Sequence, residues 1–244
     1  MKRPILFSTG NIWQLNKSIY KQIESSLELN VDGIELLFPT ATKLINFSLK
    51  KEYIDKFKKF KFNTIHMPFY KDSKKTKIKY YDTHYYRKLF EKAVKIANKI
   101  NAVNLNIHAH QLKNPKLIDG LNIDFTFENL EGQHHFKISD YQRVFRKNPD
   151  INMLLDVSHA VWTNQLESFV RIFKDKIKFI HLSGAKGPKD DHYLLHRFDH
   201  PNRKRLDIIK KLNCPVIIEA GREKGLTIDD FRKEIKYVRK WLNS

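Results

Sequence analysis

The stretch Ile123-Asp-Phe-Thr-Phe-Glu-Asn-Leu-Glu-Gly-Gln133 reads as a short buried strand running out into charge. Ile123, Phe125 and Phe127 alternate with polar residues, the two-residue period of a β-strand, and the run stops at the carboxylate of Glu128. Beyond it come Asn129, a second acid Glu131, Gly132 and the pair His134-His135. The same event recurs along the chain. Ile34 leads into Glu35, Ile65 into His66, Ile107 into His108, Leu155 into Asp156, Ile180 into His181 and Ile218 into Glu219. One such junction is an ordinary capped strand end. Seven apolar strands that each end in a metal-binding residue type form a pattern.

The chain has 244 residues and 41% hydrophobic content, enough for a sizeable core. A single α/β barrel of roughly 250 residues fits it without a linker. The N-terminus passes straight into a strand from Pro4 to Phe7, so no signal peptide is expected. No uncharged apolar run approaches the roughly 18 residues of a membrane span. One cysteine, Cys214, cannot make an internal disulfide, and a cytoplasmic monomer is the expectation. Lys and Arg number 46 against 27 acids, a formal +19. That excess favours polyanionic partners through attraction and counterion release. A Lys-, Ile- and Asn-rich compositional bias would produce the same count.

Taken in order, strands are predicted at Ile5 to Ser8, Val31 to Leu37, Phe62 to His66, Val103 to His108, Ile123 to Glu128, Asn152 to Val157, Lys178 to Leu182 and Val216 to Glu219. Helices are predicted from Asn16, as N-cap, to Leu29, then over Leu49 to Phe60, Tyr81 to Ile100, Asp140 to Arg146, Gln165 to Phe173, Arg203 to Leu212 and Ile228 to Leu242. Only about 14 residues, including Pro115 and Gly120, separate His108 from strand five. The fourth helix is therefore reduced to a turn or two near Pro115 to Ile118. Lys71 to Lys79 is a basic loop, and Ser183 to Pro201 a long loop rich in charge and histidine.

Eight strands alternating with helices build either a doubly wound sheet or a closed (β/α)8 TIM barrel. An open sheet collects functional residues at one switch point. Here nearly every strand contributes one at its C-terminal end, and only a closed ring brings those ends to one mouth. The expected fold is therefore a single (β/α)8 barrel over residues 1–244 with a shortened fourth helix. No glycine-rich nucleotide loop is present.

The residues expected at the mouth are Glu35, His66, His108, Glu128, Asp156, His159, His181, Asp190, His192 and Glu219. Imidazoles and carboxylates without thiolates suit Zn²⁺, Mn²⁺ or Fe²⁺. One ion takes about four to six such ligands, so the set implies two or three ions.

Four segments carry a family resemblance: Glu128-Asn-Leu-Glu-Gly-Gln133, Leu155-Asp-Val-Ser-His-Ala160, His181-Leu-Ser-Gly-Ala-Lys186 and Asp190-Asp-His192. With them the chain resembles the xylose-isomerase-like barrels, and most of all the endonuclease IV family of apurinic/apyrimidinic (AP) endonucleases. The resemblance implies three zinc sites: His66, His108 and a bridging Glu128; Glu128, Asp156, His181 and Glu219; and His159, Asp190 and His192. It implies hydrolysis of duplex DNA 5′ to abasic sites, with Glu128 and Glu219 at the centre of the chemistry. Lys186 would contact phosphate. The loop Phe38 to Lys43 lacks the arginine that this family pushes into the DNA stack, so Phe69 and Tyr70 are the expected wedge. The alternative within the same superfamily is a one-metal sugar or sugar-phosphate isomerase or epimerase. It needs only Glu128, Asp156, His181 and Glu219, with Glu35 and the aromatics at a sugar pocket and the two glutamates moving protons. A metal-free barrel that binds nucleic acid through its basic surface is the third reading.

Overall fold

The computed structural model describes residues 3–130 and 137–244. Eight parallel strands close on themselves in sequence order: β1 (Ile5–Ser8), β2 (Gly33–Leu37), β3 (Asn63–His66), β4 (Ala102–His108), β5 (Asp124–Glu128), β6 (Asn152–Asp156), β7 (Ile177–Leu182) and β8 (Val216–Ile218). β8 returns to β1 through the pairs Ile5 with Val216 and Phe7 with Ile218. The helices are α1 (Ile19–Leu27), α2 (Ala41–Asn46), α3 (Lys51–Phe57), α4 (His84–Ile100), α5 (Ile138–Lys147), α6 (Val157–Trp162), α7 (Leu166–Phe173), α8 (Asn202–Arg205) and α9 (Ile228–Leu242). This is a (β/α)8 barrel, and between β4 and β5 only a 3-10 turn at Pro115–Leu117 stands where a helix would be.

The strand alternation explains why apolar residues precede each polar terminus. Phe7, Ile34, Leu36, Ile65, Ile107, Phe127, Leu155, Ile180 and Ile218 belong to one large buried cluster shared with the helices. Their neighbours point the other way, into the barrel. At the lower end Leu6, Leu154, Phe179 and Ile217 form a separate apolar plug, with Phe62 against it. Above the plug the interior turns polar: Ser8, Glu35, Thr64, His66, Asn104, Asn106, Thr126, Glu128, Asp156 and His181 are all buried. Burying that many polar groups without partners would cost about 1–3 kcal/mol each, so the fold must supply partners for them.

Local structure departs from the sequence expectation in four places. Helix α1 starts at Ile19, not after Asn16; the Asn16 side chain instead accepts the Ser18 N–H at 3.1 Å, a turn two residues long. The span Leu49 to Phe60 holds a helix only over Lys51–Phe57. Two short helices, α2 and α6, escaped the periodicity reading because six residues give less than two turns of pattern. The span Arg203 to Leu212 begins as α8 and tightens to a 3-10 helix at Leu206–Lys211. By contrast α4 is well signalled. Thr83 caps its start, Leu89, Phe90, Ala93, Ile96, Ala97 and Ile100 form its buried face, and Asn101 ends it in the left-handed region at φ 52°. Among the described residues no helix is long and apolar enough to cross a membrane.

Candidate metal centre

Three sets of side chains bring ligand atoms within 4.8 Å of one another: His66, His108 and Glu128; Glu128, Asp156, His181 and Glu219; and Asp156, His159 and His192. Glu128 belongs to the first two sets and Asp156 to the last two. The cross-strand register makes this possible, since His108 pairs with Glu128 and Asp156 with His181 on adjacent strands.

Each oxygen of Glu128 serves a different side. Oε2 lies 3.1 Å from His66 Nε2 and accepts from the Asn106 amide, while Oε1 lies 3.3 Å from His181 Nδ1 and 3.7 Å from His108 Nε2. Asn129 clasps the ends of β5 and β6 together. Its Oδ1 accepts the Asp156 N–H at 2.7 Å and its Nδ2 donates to the Asp156 carbonyl at 2.8 Å. Asp156 Oδ1 caps α6, accepting the His159 N–H at 2.7 Å and the Ser158 hydroxyl at 2.8 Å. The second oxygen, Oδ2, is buried with no hydrogen-bond partner.

Four of the imidazoles are oriented from behind. Nδ1 of His66 lies 2.7 Å from the Met67 carbonyl, Nδ1 of His159 3.0 Å from the Asn129 carbonyl, and Nδ1 of His192 2.9 Å from the Glu219 carbonyl. A carbonyl only accepts, so each of these Nδ1 atoms carries a proton. His181 is turned the other way, with Nε2 3.1 Å from Glu35 Oε2 and Nδ1 toward Glu219, Glu128 and Asp156. Glu219 Oε2 is 2.8 Å from His181 Nδ1, yet the approach is too oblique for a hydrogen bond and that oxygen has no other partner. Orphaned oxygens on Asp156 and Glu219, grouped with imidazole nitrogens, fit a divalent cation bound by nitrogen and oxygen.

Charge tells the same story. Burial works against ionisation of His66, but hydrogen bonding and attraction from Glu128 raise it to about 9. Burial likewise opposes the charge on His181, and Glu219, Glu35 and Glu128 outweigh it and hold the ring well above the ordinary histidine range. Burial pushes Glu128 up, but His181 and His108 keep it well below the usual carboxylate range. Asp156 is lifted to about 6 by burial, with His159 pulling the other way. Protonated histidines supply, in the metal-free protein, the positive charge that bound cations would otherwise provide.

The loop after β7 rearranges the expected third set. Asp190 is exposed and accepts from the Tyr193 hydroxyl, so it does not join His159 and His192. Asp191, passed over in the sequence, is the buried member. Arg222 holds its Oδ1, and its partnerless Oδ2 lies 3.8 Å from His192 Nε2. The swap follows from the backbone: Lys189 and His192 are both in the left-handed region, at φ 65° and 61°. A loop bent at both points need not follow the alternation of a strand.

Four other expected residues lie around these sets. Glu35 is fully buried, with Oε2 3.1 Å from His181 Nε2. The Phe69 ring is edge-on to His66 at 6.0 Å and stacks on His108 at 6.2 Å; Tyr70 packs on Phe69 at 4.9 Å. Lys186 is exposed, with its ammonium 4.4 Å from the Tyr193 ring centroid. Glu131, Gly132, Gln133, His134 and His135 lie outside the described residues. Asn106, Asn129, Ser158 and Asp191 went unnoticed as site residues. For Asn106 a signal existed, since Asn104, Asn106 and His108 alternate with Val103, Leu105 and Ile107 in one strand.

No protein-family profile matches the chain, and no curated protein sequence matches it. Its fold, however, resembles that of several solved enzyme structures. A D-psicose 3-epimerase aligns at TM-score 0.70 and 14% identity over 99% of this chain and 100% of the other. A 3-keto-D-glucoside 4-epimerase from E. coli aligns at 0.70 and 12% identity over 98% and 100%. Endonuclease IV from Thermus thermophilus aligns at 0.67 and 14% identity over 98% and 99%. The solved structures of this fold that resemble the chain thus include both sugar epimerases and an endonuclease.

Proposed function

We propose that the protein is a polymetal phosphodiesterase of the endonuclease IV kind, hydrolysing DNA on the 5′ side of abasic sites. The observation that carries this reading is the chain of three ligand sets linked through Glu128 and Asp156. Zinc or a similar divalent ion bound there would activate a water near neutral pH and neutralise a phosphodiester. His66 and His108 would hold one ion with Glu128; Glu128, Asp156, His181 and Glu219 a second; His159 and His192, with Asp156, a third. A one-metal epimerase needs only the middle set and leaves the histidines on either side without a ligand role. The lysines of the loop 71–79 follow β3 at the same end of the barrel as the ligands, and they supply positive charge for a polyanion.

One observation favours the second reading, a sugar or sugar-phosphate epimerase. Asp190 is not grouped with His159 and His192, and Asp191 beside His192 is paired with Arg222, so Asp156, shared with the central set, is the carboxylate of the third set. On that reading Glu128 and Glu219 flank one ion and exchange protons with the substrate. The discriminating experiment offers zinc- or manganese-loaded protein an abasic duplex, its intact counterpart, and a panel of ketoses and aldoses. Incision of the abasic strand to a 3′-hydroxyl is expected, with binding that weakens steeply as salt rises. Turnover of a sugar with no strand cleavage would replace the endonuclease by the epimerase.

A further inference from the structure

We infer that Glu35 is a positioning residue whose carboxylate fixes the His181 imidazole so that Nδ1, rather than Nε2, faces the central ligand set. The inference rests only on metal occupancy of that set, which both functional readings share.

His181 is fully buried and has carboxylates on both sides. Glu219, Glu128 and Asp156 lie 2.8, 3.3 and 3.9 Å from Nδ1, and Glu35 alone faces Nε2, at 3.1 Å. The neutral ring carries one proton. Placed on Nε2 it satisfies Glu35 and leaves the Nδ1 lone pair among the three carboxylates; placed on Nδ1 it blocks the set and strands Glu35. Here Glu35 is the orienting group. His66, His159 and His192 have a backbone carbonyl on Nδ1, whereas His181 has the Glu35 carboxylate on Nε2, which also makes the ring a stronger ligand.

Glu35 stands in a row of polar residues across adjacent strands. In the register of the barrel, Ser8 pairs with Glu35, Glu35 with Thr64, and Thr64 with Asn104. Ser8 Oγ, Glu35 Oε1, Thr64 Oγ1 and Asn104 Oδ1 are all buried without a protein hydrogen-bond partner. Four neighbouring orphan oxygens in a dry interior would each cost about 1–3 kcal/mol. Ordered water removes that cost where polar partners are this close together.

The test uses the full chain labelled with ¹⁵N at histidine, together with zinc competition against a chromophoric chelator. In the zinc-loaded wild type the His181 resonances should report a proton on Nε2 alone. Glu35→Met should lose that fixed tautomer and weaken the first zinc equivalent about 10- to 100-fold. Glu35→Gln, which keeps an acceptor for Nε2–H, should restore the tautomer and most of the affinity. A loss as large in Glu35→Gln as in Glu35→Met, or an unchanged tautomer and affinity in Glu35→Met, would overturn the assignment. If Glu35→Met does not fold, Glu35→Gln decides alone: a proton moved to Nδ1 with undiminished zinc affinity contradicts the inference. No substrate enters these measurements, so failure of the proposed activity and failure of this assignment are separately visible.

Discussion

The two sides of the metal centre are built by different means. On the β4–β6 side, His108, Glu128 and Asp156 stand at strand ends where cross-strand register sets their height. The Asn106 amide on Glu128 and the Asn129 clasp between β5 and β6 then limit their freedom. On the other side, the loop after β7 presents Asp190, Asp191 and His192 through two left-handed residues and one ion pair to Arg222. The segment that follows is anchored at a distance. Fully buried Glu234 of α9 accepts the backbone N–H groups of Leu195 and His196 at 2.8 and 3.0 Å. Gly184 makes room for it, since a Cβ there would lie 2.6 Å from the Phe198 ring. Strand register therefore fixes a ligand to within one residue. A loop does not, and here it buries Asp191 and leaves Asp190 exposed.

The largest effect should come from the strand-end side. Glu128→Gln removes the carboxylate common to two ligand sets while keeping its shape and its contact to Asn106. Activity should fall by well over the roughly 100-fold that loss of an outer-sphere partner can cost, with an unchanged circular dichroism spectrum. Retained activity would detach Glu128 from the chemistry.

That side also has a pH signature with two opposite signs. His66, raised to about 9, holds a proton in the metal-free protein at neutral pH, and metal must displace it. Zinc affinity should rise about tenfold per pH unit for each proton released, levelling off near pH 9 and steepening below about 6, where Asp156 also takes up a proton. Stability of the metal-free protein runs the other way. A histidine whose pKa is raised on folding stabilises fully below the unfolded value and loses that contribution as pH climbs through about 9. Thermal melts with and without zinc between pH 6 and 9 should diverge; parallel curves would contradict the charge assignment.

The smaller effect sharpens the comparison on the loop side. Asp191→Asn should weaken the most loosely bound metal equivalent about tenfold, through its contact with His192. Asp190→Asn, which loses only an exposed contact to Tyr193, should change it less than twofold. The reverse ranking would restore the spacing read from the sequence.

The legibility of the site follows the same division. Six strand-end residues, His66, His108, Glu128, Asp156, His181 and Glu219, were readable because each follows an apolar residue that faces the helices. Glu35 was equally visible as a residue but not as a role, because only the closed ring sets it behind His181. Asn129 and Ser158 act through single hydrogen bonds across or within turns, which carry no periodic signal. Helices α2 and α6 were missed for want of length, whereas the seventeen residues of α4 displayed a full buried face.

Metal stoichiometry tests the central claim most directly. The purified chain, stripped by mild chelation, reloaded with zinc and freed of excess, should retain two or three ions by elemental analysis. Retention should fall by at least one ion in the His66→Ala/His108→Ala double variant, which leaves the central set intact. A single ion per chain in the wild type, unchanged in that variant, would contradict the polymetal centre and leave the one-metal epimerase in its place.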